Sequence, residues 1–337
     1  MEIEFIYRNS QKQFSIEKVF HTIEEEVSHY SNVTVRESRV KPFRFWAFAV
    51  LWNMFAYAIK SRRNRLFHIT GDVQYLGCLM NPKNTVLTIH DLVMLHDNSV
   101  PKKVKRLIYW LWYYIPLRRL KYITCISEAT KKDLLQRFPW AERKITVIHN
   151  PVHPSYKFHP KEFDGRCPII LHIGTKPNKN LERTIMALKG VKCKLIIIGK
   201  LSQKQEQLLV ENVIDYSNKI AISDEEMLSI YEKSDVVSFP SLFEGFGMPI
   251  IEGQAIGRPV LTSELEPMVT VANNAASLCD PTSVDSIRHG FMDIISSKNK
   301  YQEYVKNGLE NAARYSVRAI AFQYLELYQS IEKTNII

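Results

Sequence analysis

Cysteine is scarce in this chain of 337 residues, and several common motifs are missing. The five cysteines form no Cys-x-x-Cys pair, which excludes a zinc ribbon and favours a reducing compartment. No Asp-x-Asp occurs, so one common acidic pair for a divalent metal is missing. Gly-x-Gly-x-x-Gly is also absent, which argues against a nicotinamide-dependent oxidoreductase. Because the start, MEIEFIYRNS, lacks a basic signal-peptide region, we expect a cytoplasmic protein.

The chain also lacks a hydrophobic run long enough to cross a bilayer. Its longest apolar stretch, residues 45–59, is broken only by Asn53. As a helix it would span about 22 Å, short of the roughly 30 Å hydrocarbon core. Two interpretations stay open: a helix buried against the first sheet, or an interfacial helix with basic flanks. The flanking residues are Arg44, Lys60, Arg62, Arg63 and Arg65.

Positive charge is present in excess, and it is unevenly spread. The formal net charge is +10. Residues 1–150 contain 24 Lys and Arg against 13 Asp and Glu, whereas residues 151–337 contain 21 against 22. Two segments without any acidic residue, 41–67 and 102–121, concentrate the excess. This asymmetry favours a negatively charged surface partner for the N-terminal half.

The length exceeds what one hydrophobic core usually supports, so two domains are expected. In each half, short apolar runs alternate with helical stretches, which predicts an α/β fold with two Rossmann-like, doubly wound parallel sheets. The predicted strands are 3–7, 66–69, 84–90, 122–126 and 145–149, then 169–173, 194–198, 235–239 and 259–262. We place the first domain at 1–155, a polar Pro-containing linker at 156–167, the second domain at 168–316 and an amphipathic terminal helix at 317–337.

The most informative segment is FPSLFEGFGMPIIE, residues 239–252. Glu244 lies beside a Gly-rich bend, and Glu252 lies eight residues later on a predicted helix. Gly245 and Gly247 let the backbone turn sharply, and the N–H groups at the helix N-terminus favour an anion. Because a buried strand precedes the segment, we expect a polar ligand site at the carboxyl edge of the second sheet.

This segment resembles the Glu-x7-Glu signature of retaining glycosyltransferases of the GT-B fold, family 4. The resemblance continues through GTKPNKNL, SEAT, HNPV and the His90-Asp91 pair, whereas the first 70 residues match poorly. It implies two domains facing a cleft, with the last helix crossing back to the first. It also implies that Glu244 lies against the donor sugar, that Glu252 accepts hydrogen bonds from the nucleotide ribose, and that the anomeric configuration is retained.

A leaving pyrophosphate must be stabilised by positive charge or N–H donors. The second half offers both in one turn, where Gly174 and Thr175 follow a predicted strand and Lys179 and Asn180 precede a helix. Family 4 members commonly have an arginine and a lysine here. Lys179-Asn180 matches the second element, whereas the arginine is absent and Lys176 is the candidate to replace it.

The turn after Glu244 is the second expected source of donors. Backbone N–H groups of Phe246, Gly247 and Met248, with Gly245 in the same turn, complete the expected nucleotide contacts. In retaining GT-B enzymes the departing phosphate itself is often assigned the role of base. The resemblance therefore implies a nucleotide-diphosphate sugar as donor, with no metal and no other cofactor.

In the first half, His90 is the candidate catalytic residue, because it follows an apolar strand and is expected to face the cleft. In the family, a histidine at such a place touches the donor sugar near the reacting carbon. His68 and Asp72 are weaker candidates in what reads as a similar loop, and a structural role is the alternative for each. The Gly-Gly pair often found after the first strand is replaced by RNSQK, residues 8–12.

Residues 102–121, KKVKRLIYWLWYYIPLRRLK, are basic at both ends and aromatic in the middle. Trp and Tyr suit a membrane interface, and each nearby Lys or Arg contributes about 1 kcal/mol at an anionic leaflet. A core helix with solvated ends explains the same pattern, so both interpretations stay open.

Together these features predict a metal-independent hexosyltransferase that uses a nucleotide-diphosphate sugar and a lipid-linked or oligosaccharide acceptor. We expect a role in assembling surface polysaccharide (O-antigen, capsule or exopolysaccharide), in the cytoplasm and peripherally on an anionic membrane. The alternative is a nucleic-acid-binding protein, prompted by the basic composition. That alternative leaves Glu244 and Glu252 unexplained in a half without net positive charge.

Overall fold

The computed structural model of the protein describes residues 1–9, 15–43, 45–96 and 101–336. The chain divides into two compact units, Met1–Pro151 with Val317–Ile337, and Val152–Ser316. Each unit contains one six-stranded sheet whose strand pairings are parallel. The predicted fold class, α/β with two doubly wound parallel sheets, is confirmed.

The sheet of the first unit has the strand order β2-β1-β3-β4-β5-β6. Its strands are β1 (Glu2–Tyr7), β2 (Thr34–Arg39), β3 (Leu66–Ile69), β4 (Thr85–Ile89), β5 (Tyr122–Cys125) and β6 (Ile145–Val147). The inner strands are almost wholly buried, as expected of parallel strands covered on both faces. Edge strand β2 is mostly exposed and is not among the predicted strands.

The sheet of the second unit has the order β12-β11-β10-β7-β8-β9. Its strands are β7 (Ile169–Ile173), β8 (Lys194–Ile198), β9 (Asp215–Lys219), β10 (Val236–Phe239), β11 (Val260–Ser263) and β12 (Ser277–Cys279). The four inner strands coincide with predicted ones, whereas the two edge strands, β9 and β12, do not. The sheet is therefore wider than the apolar runs predict.

Helices connect these strands in both units. The α-helices of the described residues are α1 (Ser15–Ser28), α2 (Trp46–Lys60), α3 (Val93–His96), α4 (Lys102–Ile108), α5 (Ile115–Arg119), α6 (Glu128–Arg137), α7 (Leu181–Leu188), α8 (Gln203–Glu211), α9 (Asp224–Lys233), α10 (Met248–Ile256), α11 (Met268–Ala272), α12 (Val284–Ile295), α13 (Lys298–Ala313) and α14 (Val317–Ile336). A π-helical turn, Tyr109–Tyr114, joins α4 to α5.

The last helix, α14, belongs to the first unit, where it packs on α1. The Tyr328 hydroxyl lies 2.6 Å from Nδ1 of His68, and the Thr88 hydroxyl lies 2.7 Å from Nε2. The Thr124 hydroxyl extends this network, 2.6 Å from that of Thr88. His68 is therefore a buried structural residue within β3, not a loop residue. Burial lowers its pKa to about 3.

Helix α2 has one covered face and one open face. Val50, Asn53, Met54 and Tyr57 are buried at the spacing of a single helical face. Its other sides expose large apolar side chains, namely Trp46, Phe48, Leu51, Trp52, Phe55 and Ile59. One face of the helix is therefore buried against the first unit and the other is exposed to solvent. The buried-helix and the interfacial-helix interpretations each describe only one of these faces. The flanking Arg44 lies outside the described residues.

Residues 102–121 form α4, the π-helical turn and α5. Trp112 and Tyr113 are buried, and the Trp112 ring stacks on Trp46 of α2 with centroids 5.9 Å apart. Much of the aromatic centre is therefore core. An outer edge made of Val104, Leu107 and Trp110 stays exposed. Within the described part of the chain, no helix combines the length and apolarity that a membrane crossing requires.

Burial of His68 predicts a pH dependence of stability in the first unit. Its folded pKa of about 3 lies below the value of about 6.5 in an unfolded chain, so unfolding takes up a proton between these pH values. Above the unfolded pKa the buried neutral ring costs no free energy of unfolding. As the pH falls below that value, the free energy of unfolding declines, because the unfolded chain binds the proton more readily. Between about pH 7 and about pH 5 the expected loss from this residue is roughly 2 kcal/mol.

Urea unfolding of the wild type and His68→Gln at both pH values measures this loss. All five tryptophans lie in the first unit, so their fluorescence reports its unfolding. The wild type should lose roughly 2 kcal/mol more than the variant on acidification. Equal losses in the two proteins would contradict the assignment of a neutral buried ring.

Candidate active site

The candidate site lies at the carboxyl edge of the second unit's sheet. Strands β7 and β10 pair in parallel, with Val236 opposite Ile170, so both chains leave the sheet at the same edge. Two turns follow there, residues 174–180 after β7 and residues 240–247 after β10. The amide N–H of Leu242 donates to the carbonyl of Asn178 at 2.8 Å, which ties the turns together.

Lys179 and Glu244 meet where these turns touch. The Lys179 ammonium donates to Oε1 of Glu244 at 2.6 Å, and both side chains are largely shielded from solvent. Nζ also lies 4.8 Å from the ring centroid of Phe239, the last residue of β10. Gly174 creates the room for this arrangement: its φ is +97°, and a Cβ there would lie 2.7 Å from Cγ of Lys179.

Two asparagines brace the same turns. The Asn178 amide donates to the carbonyl of Phe243 at 3.1 Å and to Oε1 of Glu244 at 3.3 Å. Asn180 is buried in the left-handed region with φ 64°, immediately before α7. Its amide donates to the backbone carbonyls of Pro240 and Pro281 at 2.9 and 2.7 Å. These contacts give Asn180 a positioning role in the turn.

Thr175 and Lys176 differ in their surroundings. The Thr175 hydroxyl donates to the carbonyl of Lys200 at 2.7 Å, and the Thr175 carbonyl accepts from the Gln205 amide at 2.9 Å. The Lys176 side chain is exposed, and no ion pair joins it to any other part of the chain that the structure describes. Thr175 is therefore held within the fold, whereas Lys176 projects from the turn into solvent.

The turn after Glu244 leads directly into helix α10. Gly247 adopts a φ of +111°, and a Cβ there would lie 3.0 Å from Cδ1 of Ile250. Phe246 is buried with its ring edge-on to Tyr315. Helix α10 begins at Met248 without a side-chain cap. The positive end of the helix dipole therefore stands beside the Lys179–Glu244 pair.

Glu252 lies in the second turn of α10, where Tyr231 of α9 orients it. The buried Tyr231 hydroxyl donates to Oε2 of Glu252 at 2.6 Å. Burial, with the charge of Glu252, raises the pKa of Tyr231 well above its ordinary value, so the hydroxyl stays a neutral donor. The ring of Tyr156 packs edge-on against Tyr231 with centroids 5.4 Å apart.

Sequence reasoning missed Asn178 and Tyr231. Asn178 belongs to the same turn as Lys179, so its place in that turn could have indicated a role in the site. Tyr231 belongs to a helix with no motif, and only the tertiary fold brings it to Glu252. The second unit thus brings together an ammonium, two carboxylates and a helix N-terminus, a set suited to a ligand with both phosphate and hydroxyl groups.

In the first unit, His90 follows β4 and is buried. Its Nε2 lies 2.7 Å from the backbone carbonyl of Thr70. Because a carbonyl only accepts, Nε2 carries the proton of the neutral ring. Burial lowers the pKa of His90, so the neutral form prevails near pH 7. Gly71 admits the ring at this edge, since a Cβ there would lie 2.7 Å from Cδ2 of His90.

Arg8 occupies the place after β1 where the family often has glycines. Its guanidinium pairs with Glu17, with Nε 2.5 Å from Oε1, and also with the Asp72 carboxylate. Asp72 has a φ of +58° and its carbonyl accepts from the Trp112 indole at 3.2 Å. Residues 10–12 of the RNSQK segment lie outside the described residues. This edge is therefore built from a charged cluster around Arg8.

Two protein-family models together match most of the chain. One, described as Glycosyl transferases group 1, matches residues 157–311, and the other, Glycosyltransferase Family 4, matches residues 18–156. The fold is that of the GT-B glycosyltransferases. The chain belongs to the family 4 glycosyltransferases, as its resemblance implied.

Named relatives agree with this assignment. The chain is 24% identical over 273 residues to O-antigen chain mannosyltransferase RfbU of Salmonella typhimurium, covering 77% of this chain and 73% of that protein. It is 23% identical over 300 residues to O-antigen chain mannosyltransferase B of Escherichia coli, covering 81% and 76%. A solved structure of Anabaena Alr3699/HepE in complex with UDP and glucose shares the fold, with a TM-score of 0.75, 16% identity and coverage of 98% and 100%.

Replacing Gly174 by Ala should destabilise the second unit more than the same change at Gly190. Both glycines have positive φ, so alanine is strained at each by about 1–2 kcal/mol. A Cβ at Gly190 meets nothing within 4 Å, whereas one at Gly174 overlaps Lys179. We expect Gly174→Ala to cost about 1–3 kcal/mol more, measured by urea unfolding with circular dichroism.

A double variant identifies the cause of that excess. Lys179→Ala removes the carbons that the new Cβ would meet, so Gly174→Ala in that background should cost about as much as Gly190→Ala. If Gly174→Ala still costs more stability than Gly190→Ala in the Lys179→Ala background, contact with Lys179 is not the cause of the difference.

Proposed function

We propose that the protein is a retaining hexosyltransferase. It transfers a sugar from a nucleotide-diphosphate sugar to a lipid-linked or oligosaccharide acceptor in surface polysaccharide biosynthesis, such as that of O-antigen, capsule or exopolysaccharide. The observation that carries the proposal is the 2.6 Å contact between Lys179 and Glu244 beside the N-terminus of α10. A solved neighbour in complex with UDP and glucose supports a nucleotide-sugar donor.

Lys179 and Glu244 contact different parts of the donor. The ammonium of Lys179 stabilises the negative charge that develops on the leaving diphosphate, because a charged donor held in place needs no reorganisation. Backbone N–H groups of Phe246, Gly247 and Met248 assist it. Glu244 faces the sugar and accepts hydrogen bonds from its hydroxyls. Their mutual contact holds both groups in position before the donor enters.

Glu252 holds the nucleotide through the ribose. The carboxylate accepts hydrogen bonds from ribose hydroxyls, while Tyr231 fixes its orientation through Oε2. A carboxylate has enough lone pairs to accept from both partners at once. Gly174, Thr175, Asn180 and Gly245 shape the turns that surround the diphosphate, and exposed Lys176 adds positive charge at the rim.

In the chemical step the bond between the anomeric carbon and the diphosphate oxygen breaks, and the acceptor oxygen bonds to the same face of that carbon. The acceptor proton passes to the departing phosphate, so no carboxylate base is needed. The family resemblance supports a role for His90 beside the donor sugar. A neutral His90 adds no positive charge near a carbon that itself becomes positive in the transition state.

The relatives' names support the acceptor class and the setting. Two relatives are O-antigen chain mannosyltransferases, which supports a growing polysaccharide as acceptor. Lipid-linked acceptors are confined to a membrane, and the basic first unit suits an anionic surface. We therefore place the enzyme in the cytoplasm, peripherally on the inner face of the membrane.

The division of roles predicts separate effects for the two glutamates. Glu252→Ala should weaken nucleotide binding by about 10–100-fold, because a hydrogen bond to a charged group contributes about 1.5–3 kcal/mol. Glu244→Ala should mainly lower turnover, because its contacts are to the sugar. Isothermal titration with UDP and GDP, alongside transfer assays with their sugars, measures both. Wild-type nucleotide affinity in Glu252→Ala would refute the ribose assignment.

Transfer should not require a divalent metal, because Lys179 takes the place of an Asp-x-Asp metal site. Activity should survive EDTA, and Lys179→Ala should cost about 2–4 kcal/mol of transition-state stabilisation. Lys176→Ala is the matched control, and its smaller loss would show that the exposed lysine is secondary. Activity that disappears with EDTA and returns with Mn²⁺ or Mg²⁺ would contradict metal independence.

A further inference from the structure

The outer face of α2 is an apolar surface that stays largely exposed among the described residues. One side of the helix carries residues at positions i, i+3, i+4, i+7 and i+11, namely Phe48, Leu51, Trp52, Phe55 and Ile59. Each is about half exposed or more, up to 68% for Ile59. The opposite side is already used for packing on the first unit. A helix that is apolar on both sides is stable only where a second apolar medium covers the outer side.

Neighbouring elements extend this surface. The stacked rings of Trp46 and Trp112 bring the start of α2 against the π-helical turn. On α4 and that turn, Val104, Leu107 and Trp110 are also exposed, at a spacing of three residues. Exposed apolar side chains therefore lie on two neighbouring elements rather than on α2 alone.

Positive charge borders the same surface. Arg62 and Arg63 follow the end of α2, and both are exposed without an ion pair to any described residue. Lys102, Lys103 and Arg106 are exposed on α4. Residues 41–67 and 102–121 contain no acidic side chain. A second copy of the chain would bring like charges together, whereas an anionic lipid surface complements them.

We propose that α2 lies in the plane of an anionic bilayer with its outer face inserted among the headgroups and upper acyl chains. Its length of about 22 Å suits lying flat and is too short to cross. Trp and Phe on the outer face suit the interfacial region, and the arginines reach the phosphates. This inference deepens the membrane partner in the proposed function and is independent of the donor and of the reaction.

Vesicle binding tests the proposal. The triple variant Leu51→Gln/Phe55→Gln/Ile59→Gln keeps good helix formers and removes three exposed apolar side chains. The matched control, Val210→Gln/Val213→Gln/Ile220→Gln, removes three exposed apolar side chains from the second unit. We expect partitioning onto phosphatidylethanolamine vesicles containing phosphatidylglycerol to fall about 100-fold in the first variant and to stay within about twofold in the control.

Three further measurements define the mode of attachment. Tryptophan fluorescence of the wild type should be quenched by lipids brominated on the acyl chains, since Trp52 lies on the inserted face. High salt should weaken wild-type binding without abolishing it, because apolar contact is not screened. Vesicles of phosphatidylcholine alone should bind more weakly than those with phosphatidylglycerol.

Other outcomes would overturn the inference. Equal binding by the triple variant and the wild type would mean that α2 is not the attachment element. A wild-type dimer in sedimentation equilibrium that the triple variant abolishes, without vesicle binding, would assign the face to a second copy. Thermal stabilisation by UDP or GDP is followed in parallel. Its absence in the wild type would count against the proposed function and leave the vesicle result unaffected.

Discussion

The contact between Lys179 and Glu244 joins two turns that are 65 residues apart in sequence, and the geometry of the candidate site depends on it. The contact requires parallel strands β7 and β10 as neighbours, so that both turns leave one edge. It also requires glycine at position 174, because any Cβ would occupy the path of the lysine side chain. The ion pair between Lys179 and Glu244 therefore depends both on the strand order and on the glycine at position 174.

How far the fold could be predicted depended on where each strand lies in its sheet. Inner strands are buried on both faces and appear as continuous apolar runs, so every one of them was predicted. Edge strands β2, β9 and β12 were missed, because TVRESR and DYSNK are polar and Ser-Leu-Cys is short. Edge strand β6 was found since it carries apolar Ile145 and Val147. The three missed strands form because they pair with a neighbouring strand, and their own sequence pattern does not indicate a strand.

The candidate site was predictable where its residues share a turn. Lys179, Glu244 and Glu252 lie in local motifs whose spacing is visible in the chain. Tyr231 reaches Glu252 only through packing of α9 against α10, which no spacing records. Helix α2 shows another limit: because it is apolar on both sides, hydrophobic periodicity cannot separate its buried face from its exposed one. Only the structure assigns Asn53 inward and Trp52 outward.

The hydrogen bond between Tyr328 and His68 also orders events during synthesis. His68 lies in the third strand of the first unit, but its Nδ1 partner is 260 residues later. Until α14 packs onto the first unit, His68 lacks both this hydrogen-bond partner and the rings of Tyr324 and Tyr328 that pack against it. On the ribosome, residues 152–316 emerge before α14 and can complete their own sheet. The first unit, although most of it is made first, therefore reaches its final hydrogen bonding only after the last helix has been made.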